Sequence, residues 1–245
     1  MRNIKLIIEY DGTRFVGWQT QKAQRTVQET IEKSLQKILC EKVSLVGSGR
    51  TDSGVHALAQ VANFKTSSNL PPGALKKALN TNLPDDIAIK DCVYAPLNFN
   101  ARFNAKSKRY MYTIYNGTAK IAINRQYVYR MPYRLDVGLM KKAAKELLGR
   151  RNFKSFHGAG RWITDFNRCI KRLDIRKDKK NFIYIDIEAD GFLYKMVRNI
   201  VGTLVEVGRG HMPATGIKEI LKARDRNISG PTMPAKGLCL IEVKY

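Results

Sequence analysis

Residues 43–64 read VSLVGSGRTDSGVHALAQVANF and contain two apolar runs separated by a loop with three glycines. The runs near 43–47 and 56–64 are short and bounded by Gly and Asp, a pattern that favours β-strands. The loop holds a single carboxylate, Asp52, with Arg50 two places before it. Because loops held by a rigid scaffold carry much of protein chemistry, Asp52 is the first candidate for an active-site residue.

Two nucleotide-binding loops can be excluded at this position. A G-x-G-x-x-G fingerprint starting at Gly47 requires glycine where Asp52 stands, and a P-loop requires Gly-Lys-Ser/Thr at its end. A structural alternative stays open, because Asp and Gly are common turn residues and Asp52 could cap the backbone of a tight turn.

The strand–loop–strand lies within a first half that reads β-α-β-β-α-β. An alternating run at 4–8 predicts the first strand, a capping box at Thr26 and Glu29 opens a helix, Pro72 opens a second helix, and 87–94 forms a last strand. The core stripe of the first helix is predicted as Val27, Ile31, Leu35 and Leu39.

The second half repeats this order with longer connections. Strands are predicted at 110–115, 169–176, 181–189 and 239–245, and helices at 136–148, 193–207 and 215–224. In the strand at 181–189, alternation places Ile183, Ile185, Ile187 and Ala189 on one face. The chain is therefore predicted to be an α+β protein of two ferredoxin-like-derived subdomains, with antiparallel sheets backed by helices. Their expected bounds are 1–100 and 101–245, with a ligand-binding cleft between them.

The charge balance points to a polyanionic partner. Lys and Arg outnumber Asp and Glu 44 to 21 in 245 residues, giving a net charge of +23. Residues 1–100 carry a net +4 and residues 101–245 a net +19, so the second subdomain is expected to supply most of the electrostatic footprint. A lysine-rich solubilising surface is the alternative explanation.

Cysteine usage and hydropathy indicate where the protein acts. The four cysteines are far apart with no C-x-x-C spacing, and with three histidines this predicts no metal site. Cys40 and Cys239 lie in apolar runs and are interpreted as core residues. We expect no signal peptide and no membrane span, and hence a cytoplasmic protein.

Five segments in order resemble one enzyme family across nearly the whole chain. They are GSGRTDSGVHA at 47–57, YDGTRFVGWQ at 10–19, FNARFNA at 99–105 followed by RYMY at 109–112, MVRNIVG at 196–202, and PAKGLCL at 234–240. These segments are similar to the tRNA pseudouridine synthase A family. The loop departs from the family pattern at Ser48 and Ser53, which replace alanines, and the match is loosest over 150–168, including Arg161-Trp162.

The resemblance implies an isomerase that converts uridine to pseudouridine at positions 38–40 of the tRNA anticodon stem-loop. It also implies a homodimer. The reaction breaks the N1–C1′ glycosidic bond and rejoins the ribose to C5 without redox change, so we expect no cofactor. One ionised carboxylate can assist departure of uracil as a nucleophile or as a base, and the resemblance assigns that role to Asp52.

Four further residues are candidates for substrate binding. By resemblance, Tyr110 packs on the target uracil, and Arg50 and Arg102 hold the vacated stack or nearby phosphates. Helical spacing places Lys195, Arg198, Asn199 and Gly202 on one face, and Arg198 is the expected cationic partner of Asp52. Structural alternatives are a core aromatic for Tyr110, a salt bridge for Arg102 and a solvated basic face for Arg198.

His56, Trp18 and Gln19 are interpreted as structural, with His56 a satisfied and partly buried side chain at a strand start. Two other function classes stay open. A non-catalytic RNA-binding or RNA-folding module would account for the positive charge, and a nucleoside glycosidase would hydrolyse the same bond and release free uracil.

Overall fold

The fold is that of a computed structural model that describes residues 1–160 and 163–245. Arg161-Trp162 lies outside the described residues. Within them the chain is a mixed α/β protein with ten strands and five α-helices, which form two compact units. The first unit is Met1–Lys106 with Cys239–Tyr245, and the second is Ser107–Leu238. The subdomain bounds of 1–100 and 101–245 stay a prediction.

The first unit is a sheet covered by two helices. In chain order its elements are β1 (Arg2–Tyr10), α1 (Val27–Leu39), β2 (Val46–Gly47), β3 (His56–Thr66), α2 (Pro72–Asn82), β4 (Ile87–Ala95) and β10 (Leu238–Lys244). The strand order is β4-β1-β3-β10, with β2 also paired to β3. β1 is antiparallel to both β3 and β4, whereas β10 runs parallel to β3.

The predicted apolar alternation of β1 is confirmed. Ile4, Leu6 and Ile8 are buried, and α1 packs against α2, which in turn packs against β4. Helix α1 begins at Val27, and the first three residues of its predicted stripe, Val27, Ile31 and Leu35, are fully buried. The fourth, Leu39, is the last residue of the helix and is only half-buried, so its prediction as a core residue is wrong. Burial of such side chains is the main source of stability for an amphipathic helix.

The capping box at the start of α1 is not formed. Thr26 occupies the N-cap position, but its hydroxyl makes no capping hydrogen bond in the described part of the chain. Glu29 instead forms an ion pair with Lys33 one turn later, with 2.7 Å between the charged atoms. The sequence therefore predicted the start of α1 correctly, but the capping box on which that prediction was based does not form.

The prediction of Cys40 as a core residue is wrong. Cys40 follows the last residue of α1 in a left-handed conformation with φ 54°, and its side chain is exposed. Cys40 is the last residue of an apolar run, but the helix already ends at Leu39, so helical spacing does not determine whether Cys40 is buried. Cys239, also predicted as a core residue, is only half-buried. Burial raises the pKa of the Cys92 and Cys239 thiols to about 12, which keeps both protonated.

The second unit combines five β-sheet strands with three helices. Its elements are β5 (Ser107–Tyr115), β6 (Tyr129–Arg130), α3 (Val137–Lys145), β7 (Gly149–Asn152), β8 (Asn167–Lys177), β9 (Phe182–Ala189), α4 (Met196–Gly208) and α5 (Ile217–Ala223). The order is β5-β9-β8-β7 with antiparallel pairs throughout, and β6 adds a short parallel pair to β5.

One face of this sheet forms the core of the second unit. Ile183, Ile185 and Ile187 of β9 are fully buried, as the alternation predicted, and lie beside Tyr112 and Ile114 of β5. Helix α3 packs against α4 and β8. No helix in the described ranges is both long and apolar enough to cross a lipid bilayer.

Candidate active site

The Asp52 loop connects β2 to β3 and begins with a strand-like pairing. Val46 lies opposite Asn63, and the Ser48 amide donates to the Val61 carbonyl at 2.7 Å. Further along, the Val55 amide donates to the Asp52 carbonyl at 3.1 Å and closes a four-residue turn. The turn alternative is thus correct for the backbone, and Asp52 within this turn is half-buried.

Residues 10–18 hold the loop from the other side. The Gly54 amide donates to the Phe15 carbonyl at 3.2 Å, and the Trp18 amide donates to the Thr51 carbonyl at 3.2 Å. The Thr51 hydroxyl also shares a 2.8 Å hydrogen bond with the Tyr10 hydroxyl. The neighbours of Asp52 on both sides are therefore fixed, which limits the positions that its carboxylate can reach.

Three glycines allow the two segments to approach this closely. A β-carbon on Gly12 would lie 2.0 Å from the Val55 carbonyl oxygen, and one on Gly17 would lie 2.6 Å from the Thr51 carbonyl oxygen. Gly17 also has φ +90°, a conformation that favours glycine. On Gly47 a β-carbon would meet the buried Trp18 indole nitrogen at 2.5 Å. Trp18 therefore supports the loop, as predicted.

A buried polar pair gives the loop a further anchor. The Ser48 hydroxyl donates to Gln60 Oε1 at 2.6 Å, and Gln60 Nε2 donates to the Gly49 carbonyl at 3.0 Å. Both side chains are fully buried, so their hydrogen bonds are made away from competing water. Sequence reasoning missed Gln60, although a glutamine inside the apolar run of β3 was the available signal. Ser48, which replaces an alanine of the family pattern, therefore adds a specific hydrogen bond.

Tyr10 is neutral in this arrangement. Burial raises the pKa of Tyr10 above its ordinary value, and hydrogen bonds to Thr51 and Gln60 oppose that shift in part. The phenol therefore keeps its proton at any physiological pH and acts as a hydrogen-bonding partner of the loop.

His56 agrees with its structural interpretation. Its ring is 4% exposed at the first residue of β3, and its Nδ1 accepts a 3.0 Å hydrogen bond from the Gly12 amide. The Asp11 carboxylate lies 3.1 Å from the same nitrogen. His56 thus ties the start of β3 to the segment that holds the loop.

Arg50 is exposed and oriented by Gln19. The Arg50 Nε donates to Gln19 Oε1 at 3.0 Å. Gln19 therefore positions an arginine of the candidate site, a role beyond the fold support that was predicted for it. An exposed guanidinium in a fixed direction is suited to phosphate or base contacts.

Arg102 lies in a loop that is anchored to the same strand as the Asp52 loop. The Asn63 side chain, on β3, accepts from the Ala101 amide at 2.8 Å and donates to the Phe99 carbonyl at 3.2 Å. Asn3 also donates to the Phe99 carbonyl, at 2.9 Å. Arg102 itself is exposed and forms no ion pair that the described residues show. The salt-bridge alternative for Arg102 therefore has no support in the first unit.

Tyr110 belongs to the second unit and is 7% exposed. It lies on β5 opposite Ile187, and its ring contacts Phe192 edge-on with 5.2 Å between centroids. In this position Tyr110 fits the core-aromatic alternative. Its proposed stacking on uracil stays a prediction.

Helix α4 carries Arg198 against a returning segment of the same unit. Arg198 Nε donates to the Met233 carbonyl at 2.6 Å, and the Met233 amide donates back to the Arg198 carbonyl at 3.3 Å. A β-carbon on Gly202 would lie 1.8 Å from the Pro231 carbonyl oxygen. This face of α4 is therefore covered by chain, so the solvated-face alternative is wrong. Lys195 precedes the helix in a left-handed conformation and is not part of that face.

Arg198 also affects the pKa of a buried tyrosine nearby. Burial raises the pKa of Tyr112 well above its ordinary value, and the positive charge of Arg198 lowers it in part. The Tyr112 hydroxyl donates to the Pro234 carbonyl at 2.8 Å. The Arg198 guanidinium is thus held beside a neutral phenol and a backbone carbonyl.

A polar network that sequence reasoning missed completes this region. The fully buried Asn199 donates to the Phe156 carbonyl at 2.8 Å and accepts from the Thr232 hydroxyl at 2.6 Å. Arg226 donates to both Asn199 and Thr232, and burial lowers the pKa of Arg226. These bonds fix the register of the segment that contacts Arg198.

The five candidate residues fall into two groups. Asp52, Arg50 and Arg102 lie in the first unit, on loops that share β3 as an anchor, and Tyr110 and Arg198 lie in the second. No cluster of three or more His, Cys, Asp or Glu side chains able to hold a metal ion occurs in the described ranges.

The family comparison covers most of the chain. The family profile described as tRNA pseudouridine synthase matches residues 6–104 and 143–245. These ranges include Asp52, Arg50, Arg102 and Arg198, whereas Tyr110 lies between them.

Full-length relatives give the same result. The tRNA pseudouridine synthase A of Acetivibrio thermocellus is 47% identical over 245 residues, which cover 100% of both chains. That of Clostridium acetobutylicum is 44% identical over the same length and coverage. The tRNA pseudouridine synthase A 2 of Clostridium perfringens is 47% identical, again over 100% of both chains. The chain therefore belongs to the tRNA pseudouridine synthase A family of isomerases, which convert uridine to pseudouridine in tRNA.

Proposed function

We propose that this isomerase modifies uridines 38–40 of the tRNA anticodon stem-loop and that Asp52 is its catalytic carboxylate. The observation that carries the assignment of Asp52 is the fixation of its loop. Backbone or side-chain bonds from residues on both sides hold Thr51, Asp52 and Gly54 in place while the carboxylate stays partly exposed. Preorganisation of this kind is what a catalytic group requires.

The proposed reaction needs one carboxylate and balances without a co-reactant. The N1–C1′ bond breaks, uracil turns, and a C5–C1′ bond forms. The proton leaves C5, and N1 of the product carries one. Asp52 assists the first step either by attacking C1′ or by removing a proton from the ribose. Because oxidation state and composition do not change, the proposal includes no cofactor.

The other candidates are proposed to bind the nucleotide. Tyr110 packs on the extruded uracil, Arg50 and Arg102 contact the vacated stack or phosphates, and Arg198 is the cationic partner of Asp52. These roles require a cleft between two ferredoxin-like subdomains, which is part of the proposal. Support comes from the exposed Arg50 and Arg102 and from the two hydrogen bonds that hold Arg198.

Site selection is tested by mapping pseudouridine in tRNA. We expect unmodified tRNA transcripts with uridine at 38, 39 or 40 to gain carbodiimide-dependent stops at those positions after incubation with the protein. EDTA is present throughout and no nucleotide or nicotinamide is added. A transcript with cytidine at all three positions is the matched control. Stops only outside the anticodon arm would contradict the site assignment, and release of free uracil would indicate a glycosidase.

We further propose that the protein is a cytoplasmic homodimer, as the resemblance implies. Sedimentation equilibrium of the protein without tRNA should then give twice the chain mass of 27.9 kDa. A single-chain mass at the concentration of the activity assay would contradict the dimer. It would leave the catalytic proposal untouched, since activity is measured separately.

A further inference from the structure

Phe103 is the most exposed aromatic side chain in the described part of the first unit. Phe103 is 77% exposed. Phe99, four residues earlier in the chain, instead packs its ring against that of Tyr245, with 5.0 Å between the centroids. Most of the Phe103 ring surface is in water, so a ligand that covers the ring would gain the free energy of burying that apolar surface.

The loop that presents Phe103 is held by its own hydrogen bonds. The Asn100 side chain accepts from the amides of Arg102 and Phe103 at 2.9 and 3.1 Å. The Asn104 side chain accepts from the Asn100 amide at 2.7 Å, and the Asn104 amide donates to the Asn100 carbonyl at 3.0 Å. The backbone around Phe103 is therefore rigid, and the ring needs little further ordering to bind a partner.

The base of this loop is anchored to the core of the first unit. Ala101 is fully buried, its amide donates to the Asn63 side chain, and its carbonyl accepts from the Tyr245 hydroxyl at 2.8 Å. Phe103 therefore projects from a fixed support that is shared, through β3, with the Asp52 loop.

Arg102, next to Phe103, indicates what kind of molecule the ring binds. The Arg102 guanidinium lies 5.4 Å from the centre of the Phe103 ring and is itself exposed. A flat aromatic surface beside an arginine suits a nucleotide, since the ring stacks on a base while the guanidinium pairs with phosphate. A net charge of +23 favours the same polyanionic partner over an apolar one.

We propose that Phe103 is a base-stacking residue that contacts an unpaired or extruded nucleotide of the tRNA substrate. The inference rests on the tRNA activity of the family and adds a contact that does not depend on the role of Asp52. Phe103 would act in binding, through the face of its ring, rather than in the chemical step.

The test measures tRNA binding by Phe103 variants in the Asp52→Ala background, where no product forms. We expect Phe103→Ala to weaken binding about 5- to 150-fold, because stacking on a protein aromatic contributes on this scale for each base. Phe103→Leu should bind almost as weakly as Phe103→Ala, because it keeps apolar bulk but has no π face. Phe103→Trp should bind as tightly as the parent, and its added fluorescence should be quenched by tRNA.

Leu97→Ala is the matched control, since Leu97 is 60% exposed in the preceding connection and has no ring. It should bind like the parent. Equal tRNA binding by Phe103→Leu and Phe103→Trp would overturn the stacking role. A change of sedimentation mass in Phe103→Ala would also overturn it, because the ring would then lie at a contact between two copies of the protein. Because the assay measures binding alone, failure here is distinct from failure of the catalytic role of Asp52, which only the rate of product formation measures.

Discussion

Asp52→Asn is expected to lower the rate of pseudouridine formation about 10⁴-fold or more under single-turnover conditions. An amide of the same shape can neither attack C1′ nor take a proton from the ribose. The anchors that hold the loop use backbone groups of Thr51, Asp52 and Gly54 and the hydroxyl of Thr51, which this substitution leaves in place. The fold should therefore persist while the chemistry is lost.

Binding of tRNA should be unchanged or tighter in Asp52→Asn, because the substitution removes a negative charge from a site for a polyanion. The measurement pairs tritium release from C5-labelled tRNA with a filter-binding titration. Asp85→Asn is the matched control, since Asp85 is an exposed carboxylate in the turn between α2 and β4. Substantial product from Asp52→Asn would remove Asp52 from the mechanism, and parallel loss in Asp85→Asn would indicate a general charge effect.

The helices and strands could be predicted where local patterning determines them. The alternating apolar residues of β1 and β9 and the first three residues of the α1 stripe are buried as predicted, whereas Leu39 at the end of that stripe is half-buried. The short strands β6 and β7 were not predicted, because two to four residues do not establish a period. Nor did the sequence show that β10 pairs in parallel with the start of β3, since that contact joins distant parts of the chain.

The candidate site was predictable only in part, for the same reason. The loop around Asp52 was recognisable because its residues are adjacent in the chain. Its supports were not, since Gln60, Tyr10 and Phe15 act across segment boundaries through buried hydrogen bonds. The network around Asn199 was missed likewise, because helical spacing placed Asn199 beside Arg198 but did not show that this face is covered by other parts of the chain.

Gly12→Ala is expected to reduce activity about 100-fold although Gly12 carries no reactive group, because misplacement by about 1 Å can cost that much. The new methyl group would lie 2.0 Å from the Val55 carbonyl oxygen and 2.5 Å from its carbon. Both are backbone atoms, so the clash cannot be relieved by a change of side-chain rotamer. Since the Val55 amide is bonded to the Asp52 carbonyl, displacement of Val55 is transmitted to the turn that carries the carboxylate.

The same displacement should also lower stability by about 1–3 kcal/mol, the usual cost of overpacking. Thermal unfolding and single-turnover rates measure the two effects, and tRNA affinity should change little because Arg50 and Arg102 remain exposed. Gly73→Ala is the matched control: a β-carbon there meets nothing within 4 Å, and alanine favours the helix α2 that contains it. If Gly12→Ala were as active as Gly73→Ala, the turn would tolerate a shift of the Asp52 backbone. Close packing of residues 10–18 against the Asp52 loop would then be required for folding but not for catalysis.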